Sequence, residues 1–338
     1  MRKFCVRCGA EVPEVIDGLC PNCLLHEGKV FTLPKEIKIT TCSLCGSIKV
    51  GNKWVSDIPI EDYVRKIIAS SMVVHRDVRN VSVEAGIEGG TVVARVRGSL
   101  GRTTVESDFI IKLSVGKVLC PQCIKIKGNY FEALVQIRSI FEFRDIFKDH
   151  ILNNILNSNL FSRYISGVEL LREGIDVKVI NQGMARKLSS SLVSTYGGYT
   201  TSSWMDAGFS SGRKRSKLTI STRLLGLMPC DIVLFKGSPA IVHSLGGEVV
   251  KFKLLTSGEL VKLHIPRMSL DEVKLLNRNS YELLNAKVVN LVNDKVVVKD
   301  LGRGLVFELP LTDKVGVGSK VKLLIYGGNA YMISTRSE

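Results

Sequence analysis

Eight of the nine cysteines fall into four Cys-x-x-Cys pairs, Cys5/Cys8, Cys20/Cys23, Cys42/Cys45 and Cys120/Cys123, and only Cys230 stands apart. Two residues between thiols let a tight turn aim both sulfurs at one tetrahedral ion, so each pair is half of a site and four pairs make two four-thiolate sites. Gly9 and Gly46 directly follow the second thiol of their pairs, where a metal knuckle needs a residue free to take positive φ. Pro21 and Pro121 instead stiffen the other two pairs from within. Only 11 residues separate Cys8 from Cys20, so the first two pairs most simply close one compact site. Cys42, Cys45, Cys120 and Cys123 then close the other across a 74-residue gap, an interleaved cross-brace being the rival arrangement. The insertion 46–119 must therefore be a folded unit whose ends return to one place.

Other uses of the motif fit less well. Disulfides belong to oxidising compartments, and an N-terminus holding Cys5, Cys8 and Glu11 does not read as an export signal. A redox dithiol needs one such motif, not four. A rubredoxin-like iron site uses the same ligands, but nothing else in the chain points to electron transfer. Two zinc ions are the expected cofactors. Cys230, ahead of the apolar 231–235, reads as a small buried residue.

At 338 residues, with 45 % hydrophobic and 23 % charged side chains, the chain can bury several cores. No apolar run approaches the roughly 18 residues of a membrane span. The 47 basic and 32 acidic residues leave a formal charge of +15, spread along the whole chain, which suits a long polyanion better than a small acidic ligand. The five histidines are scattered, and there is no His-Glu-x-x-His, phosphate loop or Gly-x-Ser-x-Gly elbow. The acidic residues form no recognisable pair, which removes the usual grounds for proposing catalysis.

Periodicity gives the fold class as multidomain α+β. Inside the insertion, 60–72 has helical spacing, while 80–85, 90–97 and 104–112 alternate as strands do. A central α+β unit follows: a strand at 132–138, a helix at 143–156, a hairpin over 167–181 around Glu173-Gly174, a helix at 183–195 and a strand at 217–223. The stretch 196–216, rich in Gly, Ser and Thr, reads as a loop carrying Trp204, Phe209 and the run Arg213-Lys214-Arg215-Ser216-Lys217. Glycines, an aromatic and clustered cations are what phosphate-backbone binding uses, and Lys125 and Lys127 add charge just after the last cysteine pair. Beyond residue 229 the chain is nearly all β. Short strands at 231–235, 240–244, 248–255 and 260–266 suit an SH3-like barrel, and 282–291, 295–299, 305–309, 320–326 and 330–334 suit a five-stranded OB-like barrel. The expected domains are 1–128 (zinc-binding), 129–223 (central α+β), 224–278 (SH3-like) and 279–338 (OB-like).

The order FCVRCG, GLCPNCL, TTCSLCG and LCPQCIKIKGNYFEALVQIR resembles the large-ribosomal-subunit nuclear export adaptor family, also called nonsense-mediated mRNA decay protein three. The zinc arrangement covers 1–140, and the remaining chain agrees in its domain order. The resemblance implies a middle domain like a ribosomal protein and a last part like the hypusine-bearing translation elongation factor, also two small barrels. It also implies a non-enzymatic RNA-binding factor on the intersubunit face of the large ribosomal subunit, in late assembly, quality control or blocking of subunit joining. The expected partners are rRNA and ribosomal proteins, with no membrane. The chain is expected to be cytoplasmic and a monomer off the ribosome. Eukaryotic members carry a tail with export and import signals, whereas this chain stops at Glu338 directly after its last strand, which reads as an archaeal-type member. The loop that presents the modified lysine in the hypusine factor is His243-Ser244-Leu245-Gly246-Gly247 here and has no lysine. Two other readings stand beside this one: an enzyme acting on RNA through a site that linear spacing does not reveal, and a DNA-binding regulator using the zinc knuckles.

Overall fold

The computed structural model describes residues 3–210 and 213–334, and the chain forms two units, 1–124 and 125–338. It is mostly β, with five α-helices among the described residues. The first unit begins with β1 (Lys3–Phe4), β2 (Glu11–Val12), α1 (Pro21–His26) and β3 (Phe31–Thr32). It continues with β4 (Glu36–Cys42), β5 (Ile48–Val50), β6 (Lys53–Val55), α2 (Ile60–Ser71), β7 (Val73–Val74), β8 (Val78–Glu88), β9 (Thr91–Leu100) and β10 (Thr103–Val118). Six of these strands form one sheet in the order β6-β5-β4-β10-β9-β8. Alternation in β9 drives its two-sidedness: Val92, Ala94 and Val96 are buried while Arg95 and Arg97 point outward. On α2, Val64 and Ile68 lie one turn apart and pack on Ile37, Ile39, Ala94 and Ile111.

The strand expected at 104–112 runs on to Val118. Its second half alternates poorly, but it pairs in parallel with β4 from Lys112↔Glu36 to Val118↔Cys42. A remote partner, not local pattern, holds it extended.

Helix α3 (Pro121–Lys127) leads into the second unit, which opens with β11 (Ala133–Ser139), α4 (Asp145–Leu156), β12 (Ile165–Leu170), β13 (Gly174–Val179), α5 (Gln182–Tyr196), β14 (Gly198–Ser210) and β15 (Arg213–Leu224). The sheet order is β12-β13-β11-β15-β14, with β11 and β15 parallel. Both helices cover one face, where Phe147, Ile151, Leu188 and Leu192 close over Val135, Ile137, Val177 and Leu218. Helix α5 starts at Asn181, whose side chain accepts the Met184 N–H at 2.9 Å, an N-cap that satisfies one of the donors a helix start leaves open.

The stretch expected as a loop at 196–216 is largely strand. From Gly198↔Leu224 to Asp206↔Ser216 the two edges pair continuously, with a register shift before Phe209↔Lys214. From Thr200 to Asp206 this edge strand is exposed, and so little burial needs no apolar alternation, so its Gly, Ser and Thr content hides it.

The remainder is two five-stranded antiparallel sheets. The first comprises β16 (Ile232–Phe235), β17 (Ser238–Gly246), β18 (Val249–Leu254), β19 (Leu260–His264) and β20 (Val273–Leu275), in the order β19-β18-β17-β16-β20. The second comprises β21 (Glu282–Val292), β22 (Lys295–Asp300), β23 (Val306–Pro310), β24 (Lys320–Tyr326) and β25 (Asn329–Ser334), in the order β23-β22-β21-β24-β25. Register shifts at Val242/Ser244 and Val288/Asn290 bend the strands and let each sheet curl over its own core. Ile232, Leu255, Leu276 and Leu324 form a further core between the two sheets, which an ion pair between Lys253 and Asp313 also joins. Arg144 reaches from the start of α4 to Asp231 at 3.1 Å and Gly226 O at 3.2 Å, tying the helical layer to the third sheet.

Cys230 is not buried as expected. It sits at φ 71° in the turn before β16 and is exposed, beside a cleft of ≈ 900 Å³ that Ile241, His243, Lys314 and Lys322 also line. The segment His243–Gly246 is the end of β17 and not a free loop, the turn coming at Gly247.

Candidate metal centres and nucleic-acid interface

The thiols gather into two groups, Cys5/Cys8/Cys20/Cys23 and Cys42/Cys45/Cys120/Cys123, and within each all four sulfurs lie within 4.8 Å of one another. The second group exists because β4 and β10 run parallel. Cys42 ends β4, and Cys120 follows two residues after Val118, its register neighbour. The long insertion thus returns its end to its beginning.

The two groups repeat one construction. In each, the first pair is a knuckle closed by Gly N–H bonding back to the first cysteine carbonyl, Gly9 to Cys5 at 2.9 Å and Gly46 to Cys42 at 3.0 Å. Both glycines have positive φ, 70° and 72°. The second pair starts a helix, with Pro21 or Pro121 in its first turn, where a missing N–H is harmless. Cys20 N–H donates to Cys5 Sγ at 3.2 Å and Cys120 N–H to Cys42 Sγ at 3.3 Å. Cys8 and Cys20 sulfurs are 3.8 Å apart, as are those of Cys45 and Cys120. That is far beyond a disulfide bond. It matches the edge of a tetrahedron about 3.8 Å long that follows from metal–sulfur bonds of about 2.3 Å. Either group can hold a metal ion.

Charge is split unevenly within each group. The N–H groups of Cys8 and Cys20 bring the Cys5 thiol down to about 6. Burial raises Cys42, but the N–H groups of Cys120 and Cys45 outweigh it and bring this thiol also to about 6. Burial pushes Cys23 up to about 12 and raises Cys120 and Cys123 as well. A metal needs every sulfur as thiolate, so binding at neutral pH must expel at least the proton of Cys23 in one site and of Cys123 in the other. Apparent metal affinity is therefore expected to fall by about tenfold or more per pH unit as pH is lowered from 8 to 6. A competitive chelator titration across that range checks this, and a flat profile would contradict it.

The cations singled out by sequence stand on α3 and along β15. Lys125 Nζ is 2.8 Å from Glu132 Oε1 and 5.2 Å from the Tyr130 ring centroid. Lys127 is exposed at the end of α3. Lys217 Nζ stands 3.8 Å over Phe131, with Lys178 Nζ 5.9 Å from the same ring. Arg213, Lys214 and Arg215 lie in β15, but their side chains fall outside the described residues. Sequence reasoning missed Phe131, Lys178 and Arg186, whose guanidinium lies 5.4 Å over Trp204, because tertiary packing and not sequence proximity brings them to these partners. Cations over aromatic faces are suited to phosphates and unstacked bases.

Asp108 and Glu106, on the open face of the first sheet, are engaged. Arg95 Nε meets Asp108 at 2.8 Å and Arg97 Nε meets Glu106 at 2.8 Å, and the Arg95 guanidinium holds the Asp108 carboxyl below its ordinary range. These are cross-strand pairs of ordinary structural kind.

Residues 5–128 match the family profile described as NMD3, N-terminal domain, and residues 130–224 the profile described as NMD3, second domain. The chain belongs to the NMD3 family. Both cysteine groups lie inside the part matched to the N-terminal domain of NMD3, and the sheet that carries Trp204 and Lys217 is the NMD3 second domain. No curated protein matches the chain. Among solved structures, eukaryotic translation initiation factor 5A from Methanococcus jannaschii is similar at 14 % identity and TM-score 0.22, over 40 % of this chain and 98 % of that one. No described helix is long and apolar enough to cross a membrane.

Proposed function

We propose that the chain is a non-enzymatic, zinc-stabilised factor that binds rRNA on the intersubunit face of the large ribosomal subunit, in late assembly, quality control or blocking of subunit joining. Membership of the NMD3 family, spanning the metal-binding part and the central sheet in one order, is the observation that carries this reading. Each four-thiolate group takes one zinc ion as a closed structural site, with no open position for substrate. We read the domains as 1–128, 129–223, 224–278 and 279–338. The third is read as SH3-like because its strands follow a meander with the fifth beside the first, short 3-10 turns lying between β19 and β20. The fourth is read as OB-like because its order puts strand one between two and four and brings β23 near β25, the seam of a five-stranded Greek-key barrel. The factor works in the cytoplasm as a monomer whose partner is the large subunit.

Sedimentation tests this: tagged protein should travel with free large subunits, and not with chromatin, joined ribosomes or the soluble pool. Substituting Arg213, Lys214 and Arg215 together by Ala should weaken that binding and flatten its dependence on log salt by about two, since each phosphate contact releases condensed counterion. An unchanged affinity and slope would mean that these three cations touch no phosphate.

A further inference from the structure

Trp204 is 54 % exposed and its neighbour Met205 59 % exposed. Trp204 pairs across the hairpin with Leu218, which is fully buried against the helices. The indole therefore lies on the helix-covered side of the sheet, but at its open edge, where the second turn of α5 brings the Arg186 guanidinium over its ring. Pairing of β15 with the interior strand β11 begins only at Leu218↔Ala133. Beyond that point β14 and β15 pair only with each other among the described residues, so a two-stranded ribbon runs past the end of the sheet with Trp204 at its foot. Residues 205–210 and 213–217, the described strands of this ribbon, carry four cations in sequence, Arg213, Lys214, Arg215 and Lys217, against one acid, Asp206. Arg186 and the adjacent Lys187 are exposed, and neither pairs with a carboxylate among the described residues.

An indole and a guanidinium are the two side-chain planes on which a nucleobase stacks. A planar pair at the foot of a cationic ribbon offers a base and its flanking phosphates complementary surfaces at once. A protein hot spot also favours Trp and Arg, but it has no use for this excess of cations, whereas a phosphate chain does. We infer that Trp204 and Arg186 form a clamp for one unstacked RNA base, the exposed Arg186 side chain lifting from the indole face that it covers at 5.4 Å to admit the base, with the ribbon tracking the adjoining backbone. This rests on the reading of the chain as an rRNA-binding factor and names the site and the single-stranded or looped RNA it takes.

The test uses the full metal-loaded chain and two labelled probes, a ten-nucleotide uridine RNA and an abasic ten-mer of equal charge, with binding read by anisotropy. Trp204→Ala should weaken uridine binding roughly tenfold to a hundredfold, Trp204→Tyr should restore most of it, and neither should move abasic binding by more than about twofold. The chain has two tryptophans, so in a Trp54→Phe background Trp204 alone reports, and its emission should be quenched by the uridine RNA and not by the abasic one. If that background fails to fold, the anisotropy ratio still decides. Equal losses on both probes, unquenched emission at saturation, or no uridine binding would each overturn the clamp. Sedimentation with large subunits, run alongside, separates the two ideas. Subunit binding that survives while the uridine result fails sinks the clamp alone. Uridine binding without subunit binding sinks the ribosomal reading alone.

Discussion

Cys120→Ser is expected to lower the metal content from two ions per chain to one and to open 36–123 to protease. Cys120 serves its site in three ways. Its sulfur stands at the tetrahedral edge distance from Cys45, its N–H donates to Cys42 Sγ, and its sulfur accepts the Cys123 N–H at 3.4 Å, capping α3. Because the four thiols converge only in the folded chain, metal binding there is folding free energy, on the order of 10 kcal/mol per site. No packing contact nearby can offset that, since the core behind the site is small: Cys42, Cys120 and Cys123 with Trp54 and Leu119 against them. Cys230→Ser, at an exposed turn, should leave two ions bound. Elemental analysis with limited proteolysis reads both. Two ions retained in Cys120→Ser, or one ion in the parent chain, would contradict the two-site arrangement.

Phe147→Ala should destabilise the chain by about 3–5 kcal/mol while leaving the metal content untouched. Phe147 is fully buried on the inner face of α4. Its ring meets Phe143 at 5.7 Å and Tyr196 at 5.4 Å, both edge-on, geometries that add to the value of the buried area. Truncation leaves a cavity between α4, α5 and the sheet. It also frees Tyr196, whose hydroxyl is fixed by Asn154 and by the His150 carbonyl. Phe147→Leu, filling most of the volume, should lose less than half as much. Urea denaturation measures the difference, and a loss under 1 kcal/mol for Ala would mean that α4 does not pack as described.

The metal groups were readable in the sequence because their chemistry is written in spacing: Cys-x-x-Cys dictates a knuckle, and Gly9 and Gly46 take the positive φ that their positions require. Helix α2 was readable for a similar reason, its Val64 and Ile68 being one turn apart on a face that must be covered. What escaped is set by partners far away in the chain. The second half of β10 and the parallel pairs β4–β10 and β11–β15 depend on residues 76 and 85 positions distant. The edge strand β14, exposed from Thr200 to Asp206, carries no burial alternation there. Helices α1 and α3 are too short to show a period, and only the Cys-Pro start betrays them. The apolar followers of Cys230 point to burial, but a backbone at φ 71° turns its side chain out of the core those followers build. The Arg186–Trp204 pair joins a helix start to a strand 18 residues later, which no single-strand or single-helix pattern can display.

The most direct measurement is a subunit-joining assay on one sucrose gradient, followed by gel analysis of the rRNA. A protein lying across the intersubunit face must exclude the small subunit sterically, and does so by occupancy, not turnover. Added at one copy per purified large subunit, it should lower the yield of joined ribosomes and leave the rRNA intact, and small subunits in excess should reverse this only if they bind comparably tightly. Normal joining with the large subunit demonstrably saturated would contradict the intersubunit site. Cut or altered rRNA at substoichiometric protein would contradict the non-enzymatic reading altogether.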